Sequence, residues 1–464
     1  MDLKVLNIHP VMRKVIQLLS EDKDMNMNEA LSIIEAVVSE YDVTQYPNYS
    51  TGLAGIGCGI QYLIRSGLID AKADEVLVEL DQHLFLAVCF RKHTDLSHAT
   101  GLMGIASYFF GRLEDIDAND DNLCTITAKS VLLSILDILL ARFGIEGYSS
   151  QKTKEPLCFT NEEKEDVRQF VLRFMQYGIC NSMGNRLLSN ISSADKFVAG
   201  DIREEIFQMN MDDVTVVIPT RIDSDERYRN LQTIIRFYSS FTNMHFIVLE
   251  ADHAQAVYFD EESRVEYLYY KDENPVFHHT HYRNEMIKLA KTPIVVVWDI
   301  DILVPQKQLY SAVSDVRAHR AVLSYPYDGI CYSLPPDLSE NFRCTLDWNL
   351  LFSKDGNLPS MFGELTVGGI FVVNRESYMQ VGMENEYFVG WGPEDIERLK
   401  RLTILGMPVS RIDGCIYHLY HPRKLNSGYV DKYQNLMVKK ELLRICRMNK
   451  VELLQEVTYW NWIN

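Results

Sequence analysis

The chain has no pair of cysteines at Cys-x-x-Cys spacing. Its nine cysteines are an odd number scattered along 464 residues, so they fit neither a disulfide framework nor a zinc cluster and read as reduced core thiols. Positive charge is also short, with 46 Lys and Arg against 64 Asp and Glu and a formal charge of -18. That balance excludes nucleic acid, whose phosphates require a basic surface, and works against an anionic membrane. Long hydrophobic runs are missing too. The longest, Val131 to Leu140, carries Asp137 and is too short to span a bilayer, so no transmembrane segment is expected. The first apolar stretch is broken by Arg13, Lys14 and acids, so no secretory leader is expected and a cytoplasmic protein is the economical reading. What remains is 47% hydrophobic, ample for a core, at a length that suggests two or three domains.

The first 200 residues read as helical. Asn28 precedes apolar residues at helical spacing through Val38, the pattern of a capped amphipathic helix. Thr51-Gly52-Leu53-Ala54-Gly55-Ile56 is echoed by Thr100-Gly101-Leu102-Met103-Gly104-Ile105, 49 residues later (100 − 51), and each copy leads into an apolar helix with Tyr62 or Tyr108. A repeat of this length points to stacked helix pairs, with glycines admitting close neighbours. Gly144 to about Thr160 reads as a linker, and Glu162 to Tyr177 as another helix.

From about Asp212 the pattern changes. Val214 to Pro219 reads as a strand, Asp225 to Ser239 as a helix and His245 to Glu250 as a second strand. Tyr282 to Leu289 reads as a helix, and Ile294-Val295-Val296-Val297-Trp298 as a strand running into Asp299-Ile300-Asp301. That alternation is the signature of an open α/β sheet, which binds ligands outside the carboxyl ends of its strands. The expected boundary places a helical half at 1–205 and the α/β half at 206–464.

Chemistry-bearing residues collect at those strand ends. A strand period of two puts Asp299 and Asp301 on one side, where hard oxygens suit magnesium or manganese together with substrate phosphates. Pro219-Thr220-Arg221 ends the first strand, and Glu250 with Asp252 ends the second. Arg221, Arg227 and Arg283 match phosphate oxygens or a ribose, and an acid at the second strand end could accept from a nucleobase N–H or a ribose hydroxyl. Gly368-Gly369 opens another strand and permits close approach of a ligand such as a sugar ring. In Gly390-Trp391-Gly392-Pro393-Glu394-Asp395, Trp391 offers a flat apolar face. The two acids start a helix, where complementing the helix dipole is their other explanation. His418 and His421, three apart after a short apolar run, can face one ion if the backbone turns.

Two resemblances follow from these motifs. Residues of about 30–145 resemble the Gly-Leu-x-Gly-Ile repeats of the lanthionine synthetase C-like family, which implies a partial α/α toroid. Cys58, Cys89 and His98 lack the partners of that family's zinc site, so no cyclase chemistry is expected. From Val214 to Arg423 the ordered motifs resemble GT-A-fold glycosyltransferases, especially the β-1,4-galactosyltransferase-like group and its relatives among bacterial polysaccharide synthases. This second resemblance implies a GT-A α/β domain behind an all-α N-terminal domain. It also implies metal-dependent inverting transfer of a hexose or N-acetylhexosamine, galactose-type favoured, from a UDP-sugar to a glycan or peptide acceptor. It makes Asp301 and His421 ligands of Mn2+ or Mg2+, with His418 a further candidate and Asp299 near the ribose or ion. Glu394 would hold the acceptor, Asp395 would be the base, and Pro219, Arg221, Glu250, Asp252, Arg283, Gly369 and Trp391 would line the donor. The helical half could hold a peptide acceptor or form a homodimer. The alternative is a non-catalytic carbohydrate- or peptide-binding scaffold with a decayed transferase domain.

Overall fold

The computed structural model describes residues 9–40, 47–90, 93, 95–114, 121–149, 159–193, 210–259, 265–354, 357–363 and 365–463. It divides into two compact units, Met1–Phe143 with Leu157–Ala194 and Gly144–Pro156 with Asp195–Asn464. The expected boundary at 205 falls outside the described residues. Of the segment read as a linker, Gly144–Pro156 belongs with the second unit, where the Gly147 carbonyl accepts from Arg411 Nε at 3.0 Å, and the remainder belongs with the first.

In the first unit the described residues form helices α1 (Pro10–Glu21), α2 (Lys23–Glu40), α3 (Leu53–Arg65), α4 (Ala73–Val76), α5 (Val78–Phe90), α6 (Leu102–Leu113), α7 (Leu123–Arg142), α8 (Asn161–Met175) and α9 (Asn181–Ser193). Asn28 lies inside α2 and does not cap it. The repeat is structural: Gly52 and Gly101 are the N-caps of α3 and α6. A Cβ at Gly55 would collide with the Tyr49 carbonyl, and one at Gly104 with the His98 carbonyl, so each copy seats its helix on the backbone six residues upstream. The apolar run Val131 to Leu140 sits within the 20-residue α7. Among the described residues this is the one helix long and apolar enough to cross a membrane, and 72% of its apolar window is buried, packed on α5, α6, α8 and α9. Thr160 starts α8 with a capping box to Glu163, which supplies otherwise orphaned helix-start donors with acceptors.

The second unit holds ten strands among its described residues: β1 (Val214–Thr220), β2 (His245–Asp252), β3 (Val265–Lys271), β4 (Ile294–Trp298), β5 (Ile302–Leu303), β6 (Leu323–Tyr325), β7 (Cys331–Ser333), β8 (Ile370–Asn374), β9 (Val409–Arg411) and β10 (Ile416–His418). Seven form a mixed sheet in the order β3-β2-β1-β4-β8-β6-β9, and three a small sheet, β5-β10-β7. β1 is wholly buried and runs parallel to β2 and β4, while β8 is antiparallel to β4. After β1 the chain runs outward through β2 and β3, then returns to the other side of β1 as β4. The crevice at the carboxyl ends of β1 and β4 is therefore the switch point where open α/β sheets place ligands. Helix α10 (Asp225–Ser239) has the expected limits, with Ser224 as N-cap, α11 (His279–Leu289) starts three residues earlier than expected, and α12 (Gln306–Arg317), α13 (Pro336–Thr345), α14 (Asn349–Phe352) and α15 (Arg375–Gln380) follow.

Candidate metal and transfer site

β4 ends at Trp298, and Asp299 to Asp301 form a turn, not the continuing strand expected from the sequence. The turn is pinned from below. Trp298 Nε1 donates to the Ile302 carbonyl at 2.9 Å, and Ile302 N donates to the Asp299 carbonyl at 3.2 Å. The Trp298 ring packs 4.4 Å from Tyr238, whose hydroxyl donates to the Val304 carbonyl at 2.7 Å. Losing the strand geometry sends the two carboxylates into different company, which corrects the expectation that both point at one ion.

Asp301 meets the histidines because β10 pairs antiparallel with β5, setting His418 opposite Ile302, and Leu419 N donates to the Asp301 carbonyl at 2.7 Å. The next turn brings His421 back. Its Nε2 lies 3.2 Å, and that of His418 3.7 Å, from Asp301 Oδ2, and one ligand atom from each of the three falls within 4.8 Å of the others. His421 Nδ1 is 2.9 Å from the Pro422 carbonyl, the outer contact that holds a ring in the tautomer leaving Nε2 to a metal. Burial lowers the His418 pKa, outweighing the charge of Asp301, which favours the neutral form of the ring that can ligate. Burial pushes the Asp301 carboxyl up, but His418, His421 and Arg227 outweigh it and hold it well below the usual range. An ionised carboxylate with two imidazoles is a donor set for a divalent transition-metal ion, which takes imidazole nitrogen more readily than magnesium does. Arg227, in the first turn of α10, places Nη2 3.5 Å from His421 Nε2, a cation beside the candidate metal position.

Asp299 turns the other way. Its Oδ1 accepts from Arg283 Nη2 at 3.0 Å and lies 3.4 Å from His279 Nε2, while its N–H donates to the Gly369 carbonyl at 2.8 Å. Gly369 has φ +84°, a backbone setting that glycine enters freely.

Arg283 continues the chain of charges. Nη1 reaches Glu384 Oε2 at 3.2 Å and Asp395 Oδ1 at 3.4 Å. Arg398 grips Glu384 with two hydrogen bonds of 2.7 Å and gives Nη2 to Asp395 Oδ1 at 2.6 Å; its guanidinium stacks 3.9 Å over Phe371. Tyr378 also donates to Glu384. Arg283 and Arg398 are 1% and 0% exposed, and burial of Glu384 is overcome by the two arginines, which hold its carboxyl far below the usual range.

Asp395 and Glu394 open α16 (Glu394–Leu405). A Cβ at Gly368 would collide with Asp395 Oδ2, so the first glycine of the pair makes room for this carboxylate. Burial, reinforced by Asp395, drives the Glu394 pKa well above its ordinary value, and its Oε2 is buried without a hydrogen-bond partner among the described residues.

Residues 359–424 match a family model described as the N-terminal domain of galactosyltransferase. The matched segment spans Gly368, Trp391, Glu394, Asp395, His418 and His421. No curated protein matches the chain. Among solved structures, glucosyl-3-phosphoglycerate synthase from Mycobacterium tuberculosis, in complex with Mn2+, UDP and glucosyl-3-phosphoglycerate, is similar at 16% identity and a TM-score of 0.31, covering 50% of this chain and 79% of that one. The catalytic domain of Drosophila β1,4-galactosyltransferase 7, in complex with xylobiose, is similar at 18% identity and a TM-score of 0.29, again over 50% and 79%.

Other residues read as donor-binding are occupied inside the protein. Arg221 donates to the carbonyls of Ala251 (2.8 Å) and Asn274 (2.7 Å) and to Asp272 (2.7 Å), clamping three segments together. Glu250, 0% exposed, accepts from Ala256 N, Val257 N and the Tyr267 hydroxyl at 2.9, 3.0 and 2.6 Å, which shapes a loop. Asp252 accepts from His253 N at 2.7 Å, and Pro219 lies inside β1 opposite Leu249. Trp391 is half-buried, edge-on to Tyr429 with centroids 4.8 Å apart. Sequence reasoning missed His279, Glu384 and Arg398. The spacing of Asp395 and Arg398 on one helix face was an available signal for the last; Glu384, in a loop, offered none.

Proposed function

We propose that the protein is a manganese-dependent inverting glycosyltransferase of GT-A type that moves a hexose or N-acetylhexosamine from a UDP-sugar to a glycan or peptide hydroxyl. The observation that carries this reading is the Asp301–His418–His421 cluster at the sheet's switch point. The segment matching a galactosyltransferase model supports a galactose-type donor. A manganese ion held by those three residues would neutralise charge on the departing diphosphate. Arg227, beside the cluster, is placed to meet the same phosphates. Asp395 takes the acceptor hydroxyl proton while that oxygen bonds the anomeric carbon from the face opposite the leaving diphosphate, which inverts the centre. General-base help of this kind contributes typically ~10²–10⁴-fold. Glu394, kept neutral by burial, is suited to donate a hydrogen bond to an acceptor oxygen, and the Trp391 face to stack on a sugar.

For the helical unit we infer a partial toroid of the lanthionine synthetase C-like type that presents a peptide acceptor. The paired glycine-capped starts of α3 and α6 support this reading.

Calorimetry of UDP and a panel of UDP-sugars, with and without manganese, tests the proposal. Binding should require the ion and should vanish in Asp301→Ala; equal binding of UDP by the wild type without any divalent ion sinks the reading.

A further inference from the structure

We propose that Arg283 is a positioning residue that ties the donor end of the site to the acceptor base, with Glu384 and Arg398 as its seat. This inference rests on the transferase reading above. Arg283 Nη2 holds Asp299 at 3.0 Å, and Nη1 holds Asp395 at 3.4 Å and Glu384 at 3.2 Å. A single planar guanidinium therefore spans the turn after β4 and the start of α16. At 1% exposure it is too deeply buried to serve as a surface ligand.

The arrangement also distinguishes the two oxygens of Asp395. Oδ1 receives Arg398 at 2.6 Å and Arg283 at 3.4 Å, while Oδ2, over Gly368, accepts no hydrogen bond among the described residues. Oδ2 is thus the oxygen left to take the proton: it leaves the acceptor hydroxyl for Oδ2, the hydroxyl oxygen bonds the anomeric carbon, and the carbon–oxygen bond to the diphosphate breaks with its electron pair. Arg398 is hydrogen-bonded to Asp395 and Glu384 and makes no ion pair with Asp299 among the described residues, whereas Arg283 bonds all three. Lysine, a point charge on a flexible stem, cannot reproduce a fork that meets several carboxylates, so the two arginines are separable by the same substitution.

The test compares Arg283→Lys with Arg398→Lys in the full chain, reading manganese–UDP affinity by calorimetry and turnover as UDP release from the UDP-sugar that the wild type accepts. Arg283→Lys should weaken manganese–UDP binding and lower kcat, each by about 10–100-fold, the range for losing an outer-shell partner. Arg398→Lys should lower kcat comparably while leaving that affinity within about twofold, and in an Asp395→Asn background it should cost no further turnover, as expected of groups that act as a unit. If a lysine variant does not fold, the cycle Asp299→Asn with Asp395→Asn takes its place: turnover losses that are clearly non-additive support the bridge, and additive ones overturn it. A wild type that binds manganese–UDP while both lysine variants lose affinity and turnover in parallel overturns the proposal alone. A wild type that binds no manganese–UDP overturns the transferase reading, and the proposal with it.

Discussion

Two residues apart in one turn, Asp301 and Asp299 sit in charge clusters of opposite kind. Asp301 faces two imidazoles, and burial lowers the pKa of His418 toward the neutral ring, so that cluster presents donor atoms converging to within 4.8 Å. Asp299 belongs to a chain of two guanidiniums and three carboxylates, Arg283, Arg398, Glu384, Asp395 and Asp299, in which each charge already has a protein partner. The first cluster is suited to recruit a cation, and the second to hold geometry. The difference teaches that a carboxylate at a strand end is defined by what the rest of the sheet brings to it. β10 and the turn after it deliver histidines to one, and α11 and α16 deliver arginines to the other.

Asp301→Ala is expected to break the comparison most severely. It should cut manganese affinity by more than the ~10–100-fold typical of losing an outer-shell partner and abolish transfer. The melting temperature without metal should fall less than that of Glu384→Ala, because the partners of Asp301 are two imidazoles and the half-buried Arg227, not two fully buried guanidiniums. A large drop in thermal stability of metal-free Asp301→Ala would place the triad among the structural clusters instead. Asp395→Asn comes next: kcat should fall by ~10²–10⁴-fold while manganese–UDP binding by calorimetry is retained. Normal transfer by that variant would put the base elsewhere.

Much of this division was legible in the sequence, though not its internal wiring. β1 and α10 were plain because a β-branched run and the helical spacing of residues 225–239 are local signals. Asp301, His418 and His421 were found as types at strand ends, and the fold brings them together. Strands of two or three residues such as β5, β9 and β10 are too short to show a period of two, so the pairing that aligns His418 with Asp301 could not be read. Arg221 and Glu250 read as ligands because charged residues at strand ends usually face solvent; here both are consumed by loop carbonyls and amides. α16 breaks the amphipathic rule outright, since Glu397, Arg398, Lys400 and Arg401 are all buried. Its partner Glu384 comes from a loop with no periodicity at all.

Removing the centre of the second cluster measures its structural character. Glu384→Ala leaves Arg283 and Arg398 buried with less opposing charge, and breaking a buried pair in this way costs about 3–5 kcal/mol, readable as a lower denaturant midpoint at pH 7.

The pH dependence of that deficit is the smallest and most specific expectation. The arginines hold the Glu384 carboxyl below its ordinary value in the folded protein, whereas in the unfolded chain it titrates near the model-peptide value of about 4.3. Its contribution is therefore fully present above that pH and declines as pH falls toward the folded value, because there the unfolded state binds one more proton. The stability gap between wild type and Glu384→Ala should narrow below about pH 4.3 by up to ~1.4 kcal/mol per pH unit, with the contributions of other carboxylates cancelling to first order between the two proteins. Denaturant unfolding of both at pH 5, 4 and 3 checks the slope. A gap that stays constant to pH 3 would mean that the Glu384 carboxyl titrates alike in the folded and unfolded protein, so that the two arginines do not hold it down.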